Sequence, residues 1–175
     1  MGIEVIAIED SDAVGIVEDL TTIGEVNFNS MQSFVDNVLA SLAGRKMSLL
    51  HIQVHGNETT AYFGNDELSN DTYLTHPGNL SRLTRHFDSP GFFTGGPYVD
   101  FRACQIGNSL DLLRRLAALW QVTVVAGRGF QNNVLDFNTG RYVMVRPDGT
   151  SETFVTCPPP VRYDATRRLI RHLIN

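Results

Sequence analysis

Two residues that could together perform nucleophilic catalysis, His55 and Cys104, lie about fifty positions apart in this chain. A cysteine attacks a carbonyl carbon as its thiolate, and a histidine beside it can take the thiol proton and later protonate the leaving amine. Each residue directly follows a largely apolar run, "LLHIQV" before His55 and "YVDFRA" before Cys104. This placement raises the hypothesis that two strands hold the histidine and the cysteine in position.

The two runs predict strands that end at the same edge of a sheet. Ligands of open parallel sheets bind beyond the carboxyl ends of the strands. If the strands are neighbours, His55 and Cys104 emerge roughly 5 to 10 Å apart, given a strand spacing of about 4.8 Å. Gly56 has no Cβ, so a substrate carbonyl could approach its N–H closely. A helix predicted shortly after Cys104 would place partial positive charge near the cysteine N–H, which would favour a thiolate and an oxyanion.

The remaining segments alternate between strand and helix patterns. Short apolar runs rich in β-branched residues predict strands, and apolar residues at helical spacing predict helices. The predicted strands are "IEVIAIED", "GIVEDL", "SLLHIQVHG", "TTAYFGND" with a partner near Leu68, residues 98–103, "QVTVVAG", and a hairpin around residues 147–150. The predicted helices are "NSMQSFVDNVLASLAG" with Ser30 as its cap, "NLSRLTRHF", "SLDLLRRLAALW" and the C-terminal "DATRRLIRHLIN".

This order of elements predicts one α/β domain that spans residues 1–175. Strands that alternate with helices indicate a doubly wound layer with a mostly parallel central sheet and helices on both faces. A C-terminal hairpin and helix complete the predicted fold. The chain is 175 residues long and 42% apolar, which is enough for a core of ordinary size.

Composition excludes several classes of partner. The net charge is −5 and the chain has no basic block, so we expect no nucleic-acid partner. No apolar run is long enough to span a membrane, and the N-terminus does not resemble a signal peptide. Two cysteines indicate a reducing compartment, with a Cys104–Cys157 disulfide as the alternative. We expect a cytoplasmic location or, for a domain of a larger bacterial protein, a secreted or surface location.

Other chemistries find less support in the sequence. His51 and His55 are four positions apart, but they lie in a strand pattern without the glutamate of a zinc-binding helix, so we expect no metal site. The "GRG" at 127–129 lacks the third glycine of a dinucleotide fingerprint, so we expect no cofactor. A different α/β hydrolase or a small-molecule transferase remains a third alternative, but the chain has no G-x-S-x-G motif.

The succession of "LLHIQVHG" and "VDFRACQIG" resembles the caspase-like (clan CD) cysteine peptidases. In that superfamily one apolar strand ends in His-Gly and a later one ends in Ala-Cys or Gly-Cys. The segments "FGNDELSNDTYL" and "LDLLRRLAALWQVTVVAGRG" resemble bacterial members, the CHAT-type peptidases and the DUF4347 domains of large surface proteins. The resemblance covers about Ile3 to Gly129 and implies a caspase-like three-layer sandwich.

By resemblance, the activity is that of a cysteine endopeptidase with a His-Cys dyad, without metal or cofactor. Its substrate would be a protein, a peptide or a neighbouring part of a larger parent polypeptide, with an activating partner as an open alternative. His55 would be the general base and Cys104 the nucleophile, and the backbone of Gly56 and Cys104 would form the oxyanion hole. The predicted substrate-binding residues, several of them in the loop after "VTVVA", are Arg102, Gly127 and Arg128.

Substrate preference stays open at this point. Arg102 or Arg128 would favour an acidic side chain in the substrate, whereas Asp100 or Glu58 would favour a basic one. Arg102 stands where caspases have glutamine, which departs from the pattern for aspartate specificity. Asp100 and Arg102 also interrupt an otherwise apolar strand, which predicts a less buried face. This departure motivates the alternative of a catalytically inactive caspase-like recognition module in a bacterial surface or effector protein.

Overall fold

The computed structural model describes residues 2–9, 25–72, 77–89, 96–132, 137–158 and 161. Within these ranges an α/β architecture surrounds a mostly parallel sheet. The strands are β1 (Ile3–Glu9), β2 (Glu25–Phe28), β3 (Met47–Gln53), β4 (His55–Gly56), β5 (Thr60–Phe63), β6 (Asp66–Ser69), β7 (Tyr98–Arg102), β8 (Thr123–Gly127), β9 (Gln131–Asn132), β10 (Phe137–Asn138), β11 (Tyr142–Val145) and β12 (Ser151–Phe154). The helices are α1 (Met31–Leu42), α2 (Pro77–Ser81) and α3 (Leu110–Trp120), with one-turn 3-10 helices at Thr84–His86 and Ile106–Asn108.

The central sheet has seven strands in the order β12-β11-β8-β7-β3-β1-β2. The five strands from β2 to β8 in this order pair in parallel, whereas β11 runs antiparallel to β8 and forms a hairpin with β12. The predicted parallel centre and antiparallel C-terminal hairpin are therefore confirmed. Two smaller sheets lie beside it: β4, β5 and β6 form an antiparallel sheet, and β9 pairs with β10.

Alternation along the strands directs one set of side chains toward α1 and α3. These side chains and the apolar residues of both helices form one buried cluster. The buried strand residues of this cluster that lie in the parallel part of the sheet are Val5, Ala7, Phe28, Met47, Leu50, Ile52, Val99, Phe101, Val124 and Ala126. Trp120 is the last residue of α3, and its Nε1–H donates to the Leu80 carbonyl oxygen at 2.9 Å.

The boundaries of α1 follow from its capping residues. Ser30 accepts a hydrogen bond from the Ser33 N–H at 3.1 Å, and the Ser33 hydroxyl oxygen accepts one from the Ser30 N–H at 3.1 Å. This reciprocal pair satisfies donors that the first helical turn leaves without backbone partners. Ala43, with φ 48°, and Gly44, with φ 82°, then turn the chain away from the helix. The predicted helix and its predicted cap are both confirmed.

Several predictions differ from the structure or lie outside the described residues. β2, with the sequence "EVNF", was not predicted, because four residues of mixed polarity give too little pattern. The predicted helix "NLSRLTRHF" is divided into α2, which begins earlier at Pro77, and the 3-10 turn Thr84–His86. The predicted strand "GIVEDL" and the C-terminal helix lie outside the described residues. The prediction of helices on both faces is thus met by α1 and α3 for one face and stays a prediction for the other.

Aromatic packing joins the small sheet of β4, β5 and β6 to the central core. Phe63 of β5 is fully buried. The centroid of its ring lies 5.5 Å from that of Phe28, 5.1 Å from that of Phe34 and 6.2 Å from that of Phe101. These rings belong to β2, α1 and β7, so the Phe63 side chain packs against two strands of the central sheet and the helix α1.

Within the described ranges, no helix combines the length and the apolar character that crossing a membrane requires.

Replacing Phe63 tests this junction. We expect Phe63→Ala to lower the free energy of unfolding by about 3–5 kcal/mol, because the substitution leaves a cavity among the surrounding aromatic rings. The control is Val155→Ala, which truncates a side chain that is 76% exposed and should change stability by less than about 0.5 kcal/mol. Urea unfolding followed by circular dichroism measures both, and equal stability of the two variants would contradict the assigned role of Phe63.

Candidate active site

The register between β3 and β7 determines where His55 and Cys104 emerge. The two strands are parallel neighbours, with Gln53 opposite Arg102. The pairing extends one residue further, because the Val54 N–H donates to the Arg102 carbonyl oxygen at 3.1 Å. His55 and Cys104 each stand two positions beyond the last matched pair, at the carboxyl edge of the sheet.

Gly56 is packed directly against the end of β7. A Cβ built on Gly56 would lie 2.9 Å from the Ala103 Cβ, 3.0 Å from the Thr60 carbonyl oxygen and 3.5 Å from the Cys104 carbonyl oxygen. The first two distances are shorter than side chains tolerate, so a larger residue would push the two strand ends apart. Glycine at position 56 therefore allows the backbone after His55 to approach the backbone of Ala103 and Cys104.

His55 belongs to the small antiparallel sheet, because the chain leaves the central sheet at Val54. His55 pairs with Tyr62 across β4 and β5, and its side chain is exposed. The connecting turn is stabilised by Asn57, whose Oδ1 accepts hydrogen bonds from the N–H groups of Thr59 and Thr60, both at 2.9 Å. Such an Asx turn orders a short hairpin loop.

The hairpin that carries His55 also contacts the residue after the cysteine. Gln105 Nε2 donates to Oε1 of Glu58 at 3.3 Å, from the turn after Cys104 to the tip of the β4–β5 hairpin. Gln105 has a left-handed backbone conformation, with φ 58°, and this bends the chain sharply after the cysteine. The two halves of the candidate site thus meet through packing at Gly56 and through this side-chain hydrogen bond.

The segment at residues 128–132 contacts the cysteine on its other side. The Gln131 N–H donates to the Cys104 Sγ at 3.4 Å, and the Sγ lies 3.9 Å from the Gln131 carbonyl oxygen. The Gln105 N–H donates to the Gly129 carbonyl oxygen at 2.7 Å. Cys104 is half-buried, so its thiol lies between the end of β7 and this segment.

The predicted helix "SLDLLRRLAALW" is confirmed as α3, but a separate turn lies between it and Cys104. The 3-10 turn Ile106–Asn108 separates Cys104 from α3, which begins at Leu110. The expectation that the Cys104 N–H lies at a helix start is wrong for α3, because the chain first makes a left-handed turn at Gln105. The field of the α3 N-terminus decays within about one helical turn, so it contributes little at the thiol.

The predicted substrate-binding residues of the β8 loop differ in their surroundings. Gly127 is buried, and a Cβ on it would overlap the side-chain amide of Asn138, so packing explains this glycine without a substrate contact. Arg128 is half-buried, and its N–H donates to the Arg141 carbonyl oxygen at 2.8 Å. In the part of the chain that the structure describes, the buried Nε of Arg128 has no hydrogen-bond partner.

Arg102 lies in a buried polar cluster on the sheet. Its Nε donates to Oδ2 of Asp100 at 2.5 Å, and the two side chains are 8% and 4% exposed. His51 joins the cluster, with Nδ1 at 2.8 Å from Asp100 Oδ2 and Nε2 at 2.9 Å from Glu4 Oε1. The expectation of a less buried face at Asp100 and Arg102 is wrong, because the ion pairs allow both charges to be buried. This burial does not support the predicted contact between Arg102 and a substrate.

In this cluster each opposite charge stabilises the ionised form of its neighbour. Burial alone would lower the pKa of His51, but its hydrogen bonds to the carboxylates of Asp100 and Glu4 outweigh burial and raise that pKa. Burial would raise the pKa of Asp100, but the nearby Arg102 guanidinium and the hydrogen bond to His51 lower it. His51 is therefore a structural partner of two carboxylates, in agreement with its prediction as a strand residue.

The structure adds residues that the sequence did not single out. Gln131 contacts the thiol through its backbone, and Asn138 contacts the segment that contains Gln131. An Asn-Thr-Gly sequence at 138–140 is a turn signal, but nothing in it indicates a long-range contact with Cys104. The disulfide alternative is wrong, since no disulfide bond joins Cys104 and Cys157 in the structure.

Among the residues that the structure describes, no three His, Cys, Asp or Glu side chains come together in a group that could hold a metal ion. No protein-family model, curated protein or solved structure matches this chain.

Replacing Arg102 separates a structural role from a substrate-binding role. We expect Arg102→Met to lower the free energy of unfolding by about 3 kcal/mol, because Asp100 would lose its guanidinium partner while it stays buried. The control is Arg82→Met, which removes an exposed ion pair to Asp36 and should cost less than about 1 kcal/mol. Wild-type stability of Arg102→Met in urea unfolding would contradict the structural role.

The cluster also predicts a pH dependence of stability. The pKa of His51 is raised on folding, so its contribution is complete below the ordinary value of 6.5 and is lost as pH rises through the folded value. The pKa of Asp100 is lowered, so its contribution is complete above 3.8 and is lost as pH falls through the folded value. We expect the stability difference between wild type and His51→Gln to be largest between these two pH values.

Urea unfolding of both proteins at a series of pH values measures that difference. Glu4→Gln should make the decline above pH 6.5 smaller and complete at a lower pH, because the pKa of His51 in the folded protein falls when one of the two carboxylates that raise it is neutral. A difference that stays constant from pH 5 to pH 9 would show that His51 does not gain a proton affinity on folding.

Proposed function

We propose that the protein is a cysteine endopeptidase in which His55 and Cys104 form a catalytic dyad. The observation that carries this proposal is the packing of Gly56 against Ala103 and Cys104. This contact lies just beyond the last paired residues of β3 and β7. This packing puts the residue after the histidine against the backbone of the cysteine. The exposure of His55 and the half-burial of Cys104 suit a base and a nucleophile at a substrate-accessible edge.

The proposed reaction is acyl transfer from a peptide bond to the thiol. His55 takes the proton of the Cys104 thiol, and the thiolate sulfur forms a bond to the scissile carbonyl carbon. The C–N bond then breaks, and the imidazolium of His55 gives its proton to the leaving amine. The neutral imidazole then deprotonates a water molecule, whose oxygen forms a bond to the thioester carbon. The C–S bond breaks, the acid product leaves, and the imidazolium returns its proton to the Cys104 sulfur. The N–H groups of Gly56 and Cys104 are the proposed donors to the oxyanion.

Charges near the dyad narrow the specificity alternatives. Asp100 and Arg102 are paired and buried, so neither supports a direct contact with substrate. Glu58 is exposed at the tip of the hairpin that carries His55. Arg128 is half-buried and begins the segment at residues 128–132, which contacts Cys104. We therefore retain Glu58 and Arg128 as the two residues that could select a charged side chain in a protein or peptide substrate.

A second candidate function is a catalytically inactive recognition module on the same fold. The contact of Gln131 with the Cys104 Sγ favours it, because this segment covers part of the thiol that a substrate carbonyl must approach. The two candidates differ in the reactivity of the cysteine and in whether any polypeptide is cleaved.

Removing the dyad tests the peptidase proposal. We expect Cys104→Ala to abolish cleavage, because no nucleophile remains, and His55→Gln to lower kcat/KM by about 10²–10⁴-fold, the usual contribution of general acid–base catalysis. Cys157→Ala is the matched control and should cleave like wild type. The assay combines a proteome-derived peptide library with mass spectrometry of the intact chain, which detects autoprocessing. Cleavage that survives in Cys104→Ala, or a wild type that cleaves no peptide, contradicts the proposal.

A further inference from the structure

The hydrogen bonds between the segment at residues 128–132 and the residues Cys104 and Gln105 use backbone atoms of the segment. The Gln131 N–H donates to the Cys104 Sγ, and the Gly129 carbonyl oxygen accepts from the Gln105 N–H. Backbone contacts depend on where the whole segment lies, not on the identity of its side chains. Some other group must therefore keep Gly129 and Gln131 at these positions.

The side chain of Asn138 makes four hydrogen bonds in this region. Its Oδ1 accepts from the N–H groups of Gly129, at 2.8 Å, and Gly140, at 2.9 Å. Its Nδ2 donates to the Gly129 carbonyl oxygen at 3.0 Å and to the Gln131 Oε1 at 3.3 Å. A primary amide has two donors and two acceptor lone pairs, so this side chain uses its full hydrogen-bonding capacity.

Two further features hold Asn138 itself in place. Its N–H donates to the Tyr142 hydroxyl oxygen at 3.1 Å. Its side-chain amide packs against the Cα of Gly127, at a point where any Cβ would overlap it. Asn138 thus connects β8, the segment at 128–132 and the start of β11, and it is half-buried among them.

We propose that Asn138 is a positioning residue for Cys104. It keeps the segment at 128–132 where the Gln131 N–H reaches the sulfur and where the Gly129 carbonyl oxygen holds the turn after the cysteine. A hydrogen bond from an N–H to a sulfur strengthens when that sulfur is a thiolate, so the segment stabilises the reactive form of the cysteine. The inference rests on the proposed role of Cys104 as nucleophile and extends it to a residue that touches neither substrate nor sulfur.

Alkylation of the two cysteines by iodoacetamide tests this proposal in the full chain. Peptide mapping by mass spectrometry gives the ratio of the Cys104 rate to the Cys157 rate, and Cys157 serves as a reference in the same molecule. We expect Asn138→Ala to lower this ratio about tenfold at pH 7, because the thiolate loses a charge-assisted hydrogen bond. A general loosening of the fold would instead raise both rates.

A milder variant covers the case in which Asn138→Ala does not fold. Tyr142→Phe removes the hydroxyl oxygen that accepts from the Asn138 N–H and keeps the Asn138 side chain, and we expect it to lower the ratio two- to threefold. The matched control is Asn37→Ala, which removes an amide hydrogen bond to the Asn27 carbonyl oxygen at 2.7 Å, on α1. This control should leave the ratio unchanged within twofold.

The outcomes distinguish this inference from the proposed function. A ratio that falls in Asn138→Ala and less in Tyr142→Phe supports the positioning role, even if wild type cleaves no peptide. A folded Asn138→Ala with an unchanged ratio overturns it, and so does a higher ratio, which would mean that the segment only shields the thiol. If wild type cleaves a peptide, Asn138→Ala should lower kcat about tenfold with KM unchanged, and a change in KM alone overturns the role.

Discussion

The hydrogen bond from the Val54 N–H to the Arg102 carbonyl oxygen is the last link between β3 and β7. His55 directly follows Val54, and Cys104 lies two residues after Arg102, so the strand ends that this hydrogen bond joins carry both residues of the proposed dyad. Side chains alternate along a strand, so a slip of one residue would exchange the buried and polar faces of β7. The register of these two strands therefore determines both where the dyad emerges and which charges are buried.

The same strands also carry a cluster of buried ionisable residues. The residues of β3 and β7 that face α1 and α3 are apolar, and the alternate positions carry His51, Asp100 and Arg102. Ion pairs inside a protein stabilise little unless their hydrogen bonds are complete, but they favour one arrangement over others. In this sheet they oppose a register shift, since a shifted β7 would place Asp100 and Arg102 in the apolar cluster. The polar residues of β7 thus help to fix the register that positions His55 and Cys104.

Much of the fold could be predicted because the decisive patterns are local. β1, β3, β8 and α3 have strong periodicity, and the Ser30 cap is readable from neighbouring residues. The placement of His55 and Cys104 just beyond two neighbouring strand ends could also be predicted, since residue type and strand end are local features. What could not be predicted depends on contacts that no local pattern shows: Arg102 is buried with Asp100 and His51, and the proposed role of Asn138 depends on its hydrogen bonds to Gly129 and Gln131. Short elements such as β2 form because neighbouring strands offer hydrogen bonds, a reason that their own sequence does not contain.

The left-handed conformation of Gln105 bears on how the β4–β5 hairpin and the turn after Cys104 stay aligned. A residue with a Cβ at this φ is less stable than glycine by about 1–2 kcal/mol. Glycine, however, would have no side chain to reach Glu58, and a net hydrogen bond contributes about 0.5–1.5 kcal/mol. The two effects are of similar size, so the chain gains a tether between the hairpin tip and the cysteine turn at almost no net cost in folding. Selection at this position would then act on alignment and leave the melting temperature nearly unchanged.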